Sequence, residues 1–304
     1  MRHFNIRPVF LLLFLFSVIT YSQEKSEEQP EKKLEEEKSE STPEEKTEKS
    51  QYEMTRWQML KYDGVSALGG VKNAYTQPLR WKGDDWARFG GIIAGSAILL
   101  AADEPANDYF TKQSEGVPQI IKESGFRFGK PLFNYGLTTG IYALGLITKD
   151  EKIRKTGVLL IASATAGGII QTVSKTLAGR ARPTAGEGNW SFRFNASEAD
   201  YHSFPSGHAI LSFTTAYAIA KQFDSPYIKG GLYAVGLISP ISRLWSGAHW
   251  LTDVVLGVAL SVVIVDGIDN YLYKKERYVY DSKKFRVKWD LKLGAGQLGV
   301  VGTF

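Results

Sequence analysis

Eight residues between positions 175 and 253 have the types and spacing needed for phosphoryl chemistry: Lys175, Arg182, Ser206, Gly207, His208, Arg243, His249 and Asp253. Lys175, Arg182 and Arg243 offer one point charge and two planar guanidinium forks, a donor set suited to the non-bridging oxygens of a phosphoryl group. Ser206 and Gly207 stand just before the apolar run that begins at Ala209. Their backbone N–H groups would therefore lie at a helix N-terminus, where unpaired donors and the helix dipole favour an anion. His249 and Asp253 are four residues apart, so on a helix they share one face. The carboxylate can keep one imidazole nitrogen protonated while the other faces phosphorus, which makes a nucleophile pair. His208 can then protonate the departing oxygen, because an alkoxide leaving group needs a general acid near neutral pH.

These residues sit in three ordered clusters: Lys-x6-Arg-Pro from Lys175 to Pro183, Pro205-Ser206-Gly207-His208, and Ser-Arg-x5-His-x3-Asp from Ser242 to Asp253. The pattern resembles the three signature motifs of the type 2 phosphatidic acid phosphatase family, which shares its fold with the vanadium-dependent haloperoxidases. The resemblance implies that Lys175, Arg182, Ser206, Gly207 and Arg243 bind phosphate, that His249 is the nucleophile with Asp253 its partner, and that His208 is the acid. It also implies a phosphohistidine intermediate hydrolysed by water, with no metal and no cofactor. Taken singly, Lys175 or Arg182 is a solvated charge and His249 with Asp253 an ordinary helix-surface pair. Only the joint pattern outweighs those readings. His202, three residues before Pro205, falls outside it and reads as a loop histidine, with substrate contact as the alternative.

The elements that must position these residues follow from the apolar segments 86–102, 131–148, 156–173, 206–220, 228–241 and 249–271. They predict an all-α domain over residues 86–275, a six-helix bundle of the phosphatase and haloperoxidase type. The motif residues fall at the ends of the last four segments, so the site is expected at one end of the bundle. The connection 179–204, rich in Gly, Asn and Arg, would cover that end and select substrate. Residues 51–85 predict an amphipathic lead-in broken at Gly64, Gly69, Gly70 and Pro78. After residue 280 the period changes: Trp289, Leu291 and Leu293 alternate with Lys288, Asp290 and Lys292 before Gly294 and Gly296, which predicts a β-hairpin packed on the bundle.

Composition bounds the rest. The 304 residues contain no Cys, which excludes disulfides, thiolate metal sites and a lipidated cysteine, and no nucleic-acid or dinucleotide motif stands out. Residues 1–22, with Arg2 and Arg7 before an apolar run, predict a secretory signal peptide. Residues 23–50 hold 11 Glu and 6 Lys and almost nothing apolar, which predicts a disordered tail of net charge −5. The chain is formally +5 in total, so its cationic excess belongs to the remainder, where an anionic headgroup would be attracted.

Only the segments at 131–148 and 156–173 read as reaching the ~18 uncharged residues of a membrane span. The basic clusters 149–155 and 274–277 lie at the end away from the motifs, and the positive-inside rule sets that end in the cytoplasm. The expectation is a membrane-associated envelope protein whose site faces the periplasm, with a soluble periplasmic enzyme as the alternative. The partner implied is a phosphorylated lipid, with no nucleic acid and no obligate protein partner. The expected activity is metal-independent hydrolysis of a lipid phosphate or diphosphate: an isoprenyl diphosphate, a phosphatidyl phosphate or a lipid A phosphate. The alternatives are a broad periplasmic acid phosphatase, a vanadate-dependent haloperoxidase and a non-catalytic lipid-phosphate scaffold.

Overall fold

In the computed structural model, residues 54–274, 277–278, 288–294 and 297–303 are described. The signal-peptide and charged-tail expectations for residues 1–50 lie outside them. Helix α1 (Arg56–Thr76) starts at a capping box, in which the Thr55 hydroxyl accepts from the Gln58 backbone N–H and the Gln58 side chain accepts from the Thr55 backbone N–H. The lead-in is therefore not broken at Gly64, Gly69 or Gly70; one helix of 21 residues runs through all three. Gly69 and Gly70 trade helix propensity for close packing on the last helix, α9 (Leu251–Lys274). A Cβ at Gly69 would lie 2.1 Å from the Tyr271 hydroxyl oxygen, and one at Gly70 3.0 Å from Ile268. Pro78 marks the true end, within a short 3-10 turn at Gln77–Arg80.

Between α1 and α9 lie α2 (Gly83–Leu100), α3 (Asp103–Gln113), α4 (Gln119–Phe128), α5 (Pro131–Thr148), α6 (Glu151–Ala178), α7 (Gly207–Ala220) and α8 (Pro226–Trp245). The described residues thus hold nine α-helices, not six. Each of the six expected segments has its helix; α1, α3 and α4 are additional. α1 falls within the amphipathic lead-in, while α3 and α4, at 11 and 10 residues, are too short to stand out as apolar segments. Beyond them β1 (Lys288–Gly294) pairs antiparallel with β2 (Gln297–Thr303), Leu291 standing opposite Val300. The expected packing of this pair on the bundle concerns side chains outside the described residues.

Helix α7 is the centre of the bundle, packed against α6, α8 and α9. Nearly every residue from Gly207 to Ala220 is buried, which suits a helix that is apolar all round. Polar groups from neighbouring helices bond to it: Asn134 of α5 donates to the Leu211 carbonyl at 3.0 Å and to the Thr215 hydroxyl at 2.7 Å, and the Ser261 hydroxyl of α9 donates to the Ile210 carbonyl at 3.0 Å. Near the first turn of α6, Arg154 meets the buried Asp63 carboxylate of α1 at 2.8 Å, and Tyr142 and Tyr278 donate to the same carboxylate. Lys175 lies 21 residues further along α6, about 30 Å at the helical rise. The ionic lock and the motif residues therefore occupy opposite ends.

Among the described residues two helices are long and apolar enough to cross a membrane: Glu151–Ala178, with mean hydropathy 1.5, and Leu251–Tyr273, with 2.1. A third candidate is the pair α2 and α3, bent by 67° at its break. The segment at 131–148 had been expected among them, but Asn134, Thr138 and two tyrosines lower its apolar content.

Candidate active site

Four helix ends converge to make the site. Helix α6 stops just after Lys175 because Gly179 takes φ +55° and returns its N–H to the Lys175 carbonyl at 3.0 Å. A Cβ there would lie 1.6 Å from the Arg193 carbonyl oxygen, so the turn excludes any larger residue. Ser206 caps α7, its hydroxyl accepting from the Ala209 N–H at 3.4 Å. Arg243 sits in the last turn of α8, and the chain then turns through Gly247, at φ +60°, to deliver His249 and, in the first turn of α9, Asp253.

All eight residues read from the sequence are brought together. Arg182 is held by three backbone carbonyls, those of Ala199 at 3.0 Å, Ala248 at 3.1 Å and His202 at 3.4 Å. Arg243 donates to the Ser242 hydroxyl at 3.2 Å and lies over the Phe126 ring, 4.5 Å from its centroid. The Ser206 N–H donates to the Asp253 carbonyl at 3.1 Å, which ties the start of α7 to the start of α9. Lys175, Arg182, His208 and Arg243 are partly buried, whereas His249 and Asp253 are closed off from solvent.

The electrostatics follow from that burial. The His208 imidazole is pushed down to about 3, first by desolvation and then by the positive charges of Arg243, His249, Lys175 and Arg182. Burial likewise lowers His249, an effect that Asp253 opposes and Arg182 and Lys175 reinforce. Arg182 is lowered by burial as well, against the pull of Asp200 and Asp253. Both histidines are thus biased toward the neutral form. A dianion among these cations would reverse the balance and favour their charged forms.

The His249–Asp253 pair is looser than helical spacing suggests. Nδ1 of His249 lies 3.7 Å from the carboxylate, beyond hydrogen-bond length, and has no other partner among the described residues. Asp253 is instead saturated by others: the Ser203 hydroxyl at 2.5 Å, the Trp250 N–H at 2.9 Å and Arg180 at 2.7 Å. A shift of about 1 Å would complete the histidine bond, and catalytic hydrogen bonds are commonly long before substrate is bound. Nε2 of His208 is also buried and without a partner. His202 behaves as the loop histidine expected, with Nε2 donating to the Ala196 carbonyl at 2.9 Å.

Several neighbours escaped the sequence reading. Arg180, within the first motif but at one of its unassigned positions, is buried between Asp253 and Asp103, and Thr252 bridges to the same Asp103 carboxylate at 2.7 Å. Phe126 of α4 stacks on the His208 ring with centroids 5.3 Å apart and planes 10° from parallel. A Cβ at Gly129 would come within 2.5 Å of His208, so this glycine makes room for the imidazole. Nothing in the sequence pairs residues 103 or 126 with the motifs; an Asp opening a helix after an apolar run was the one faint signal for Asp103. Among the described residues no group of three or more His, Asp or Glu side chains is arranged to hold a metal ion.

Comparison with known proteins gives the same stretch of chain. Similar curated proteins include a lipid A 1-phosphatase of Rhizobium etli, 25% identical over 60% of this chain and 81% of its own length. An undecaprenyl-diphosphatase of Sulfolobus acidocaldarius is 35% identical over 38% of this chain and 54% of its own length. A lipid A 1-phosphatase of Porphyromonas gingivalis is 30% identical over 25% of this chain, a match that spans only 18% of that protein. The family model described as "PAP2 superfamily" matches residues 156–276, a stretch that includes all three motif clusters.

Proposed function

We propose that this protein is a hydrolase that removes phosphate from a lipid phosphate or diphosphate. The observation that carries the reading is the convergence of Lys175, Arg182 and Arg243 on two neutral histidines at the capped start of α7. That arrangement holds a phosphoryl group by charge and by helix-terminal N–H donors while leaving an imidazole nitrogen to attack. The relatives with lipid A 1-phosphate and undecaprenyl diphosphate in their names support a lipid substrate, as do the two helices able to cross a membrane.

In this reading His249 attacks phosphorus, and the bond from phosphorus to the lipid oxygen breaks as His208 protonates that oxygen. Water then attacks the phosphohistidine, with His208 now accepting its proton, and inorganic phosphate leaves. Asp253 stabilises the charge that develops on His249, and Arg180 fixes Asp253. The protein works in the cell envelope with the site toward the periplasm, and hydrolysis survives chelators.

The test is phosphate release by purified protein and by His249→Ala across isoprenyl diphosphate, phosphatidate, lipid A and a soluble phosphomonoester. Preference for a lipid, lost in the variant, supports the proposal. Equal turnover of the soluble ester favours a broad acid phosphatase, and vanadate-dependent bromide oxidation would favour the haloperoxidase branch. Hydrolysis unchanged in His249→Ala would sink the nucleophile assignment.

A further inference from the structure

The connection between α6 and α7 carries three large apolar side chains that stand exposed among the described residues. Trp190 is 68% exposed, Phe192 48% and Phe194 78%. Trp190 and Phe192 meet edge to face with ring centroids 6.4 Å apart, and Phe194 follows two residues on, at a turn. The Ser191 hydroxyl donates to Glu187 at 2.7 Å, and Arg193 pairs with Glu187 at 3.2 Å and lies 4.0 Å over the Tyr201 ring. The aromatic segment is therefore tied down by its intervening side chains, and is not a loose loop tip.

The stretch is also seated on the site. Its backbone bridges Phe192 to Arg180, Arg193 donates to the Gly179 carbonyl at 2.8 Å, and Asn195 donates to the Thr176 carbonyl at 2.9 Å. These bonds fasten the aromatics to the last turn of α6, one of the two helices able to cross a membrane. Along that helix Ile169, Val173 and Leu177 are exposed at four-residue spacing, an apolar stripe that runs toward the same end. Aromatic side chains at the end of an apolar span are the residues that favour the headgroup level of a bilayer.

We propose that Trp190, Phe192 and Phe194 form an aromatic rim that lies in the headgroup region of the bilayer beside the phosphate site. A lipid phosphate then reaches Lys175, Arg182 and Arg243 without leaving the lipid surface. The inference rests on the lipid-phosphatase reading for its purpose, and on exposure and chain geometry for its location.

The absence of Cys permits a clean single-site label in the full-length protein. Trp190→Cys carrying a polarity-sensitive fluorophore, in vesicles of phosphatidylethanolamine and phosphatidylglycerol, is quenched by lipids brominated near the headgroup and shielded from aqueous iodide if the rim is in the bilayer. Quenching by iodide and not by brominated lipid overturns the proposal. Shielding from both also overturns it, because a second copy or another protein then covers the rim. In parallel, Trp190→Ser with Phe194→Ser raises KM for a long-chain lipid phosphate in vesicles by at least about tenfold and leaves a soluble aryl phosphate unaffected. Equal loss on both substrates, or no loss on the lipid, counts against the rim. The fluorescence readout needs no turnover, so failure of the phosphatase reading and failure of the rim are separately visible.

Discussion

The guanidinium of Arg180 stands between two buried carboxylates, 2.6 Å from Asp103 and 2.7 Å from Asp253. It couples the start of α3 to the start of α9 and takes one oxygen of the carboxylate that faces His249. Removing one member of a buried ionic set leaves its partners uncompensated, at a cost of roughly 3–5 kcal/mol. Arg180→Gln is therefore expected to lower the thermal midpoint in detergent and to lower turnover with it. Asp103→Asn keeps the contact between Arg180 and Asp253, and is expected to lower stability more than turnover. The opposite ranking would remove Arg180 from the positioning role.

Asp253→Asn tests the proposed pairing of Asp253 with His249 as nucleophile. Inorganic vanadate is expected to bind with affinity close to that of the parent, while turnover falls by roughly 100-fold to 10,000-fold, because the imidazole loses both orientation and charge stabilisation. Calorimetric titration and steady-state rates on the same preparation check this; parallel losses of binding and rate would contradict it.

The proton balance gives a prediction with a defined sign. Burial and the surrounding cations push His208 down to about 3, so it is neutral at pH 7. Bound phosphate raises it, so binding takes up a proton and phosphate affinity falls as pH rises through the raised value. Calorimetry in two buffers of different ionisation enthalpy should show net proton uptake near pH 7; no uptake removes His208 as the acid. The same depression acts on stability: the unfolded chain holds the proton below about 6.5 and the fold does not. Stability is thus lost as pH drops from about 6.5 toward 3, and bound phosphate should lessen that loss.

Phe126 fixes the plane of His208, and both Arg243 and Lys130 lie over its ring, at 4.5 and 4.3 Å from the centroid. Such contacts contribute about 0.5–1.5 kcal/mol, which converts to at most about tenfold in rate. Phe126→Leu is expected to slow hydrolysis of an alkyl phosphate by that factor, to spare an aryl phosphate that needs no acid, and to be rescued by Phe126→Tyr. Equal slowing of both substrates would indicate a structural role alone.

The sequence by itself determined which residues are candidates for the chemistry and where along the chain they lie. Lys175, Arg182, Ser206, Gly207, His208, Arg243, His249 and Asp253 were legible because each belongs to a local pattern of fixed spacing, and because every motif abuts an apolar run long enough to be a helix. What the tertiary structure decided was everything that depends on distant partners. Arg180 and Asp103 meet across 77 positions and Phe126 reaches His208 across 82, separations that no periodicity encodes. Gly69 and Gly70 read as breaks because local propensity penalises glycine in a helix; Tyr271 and Ile268 show that they are contact surfaces. The 3.7 Å gap between His249 and Asp253 was equally hidden, since helical spacing fixes the shared face but not the competition from Ser203, Trp250 and Arg180 for the same carboxylate. Local residue types set which groups take part, and packing among remote segments sets how they are held.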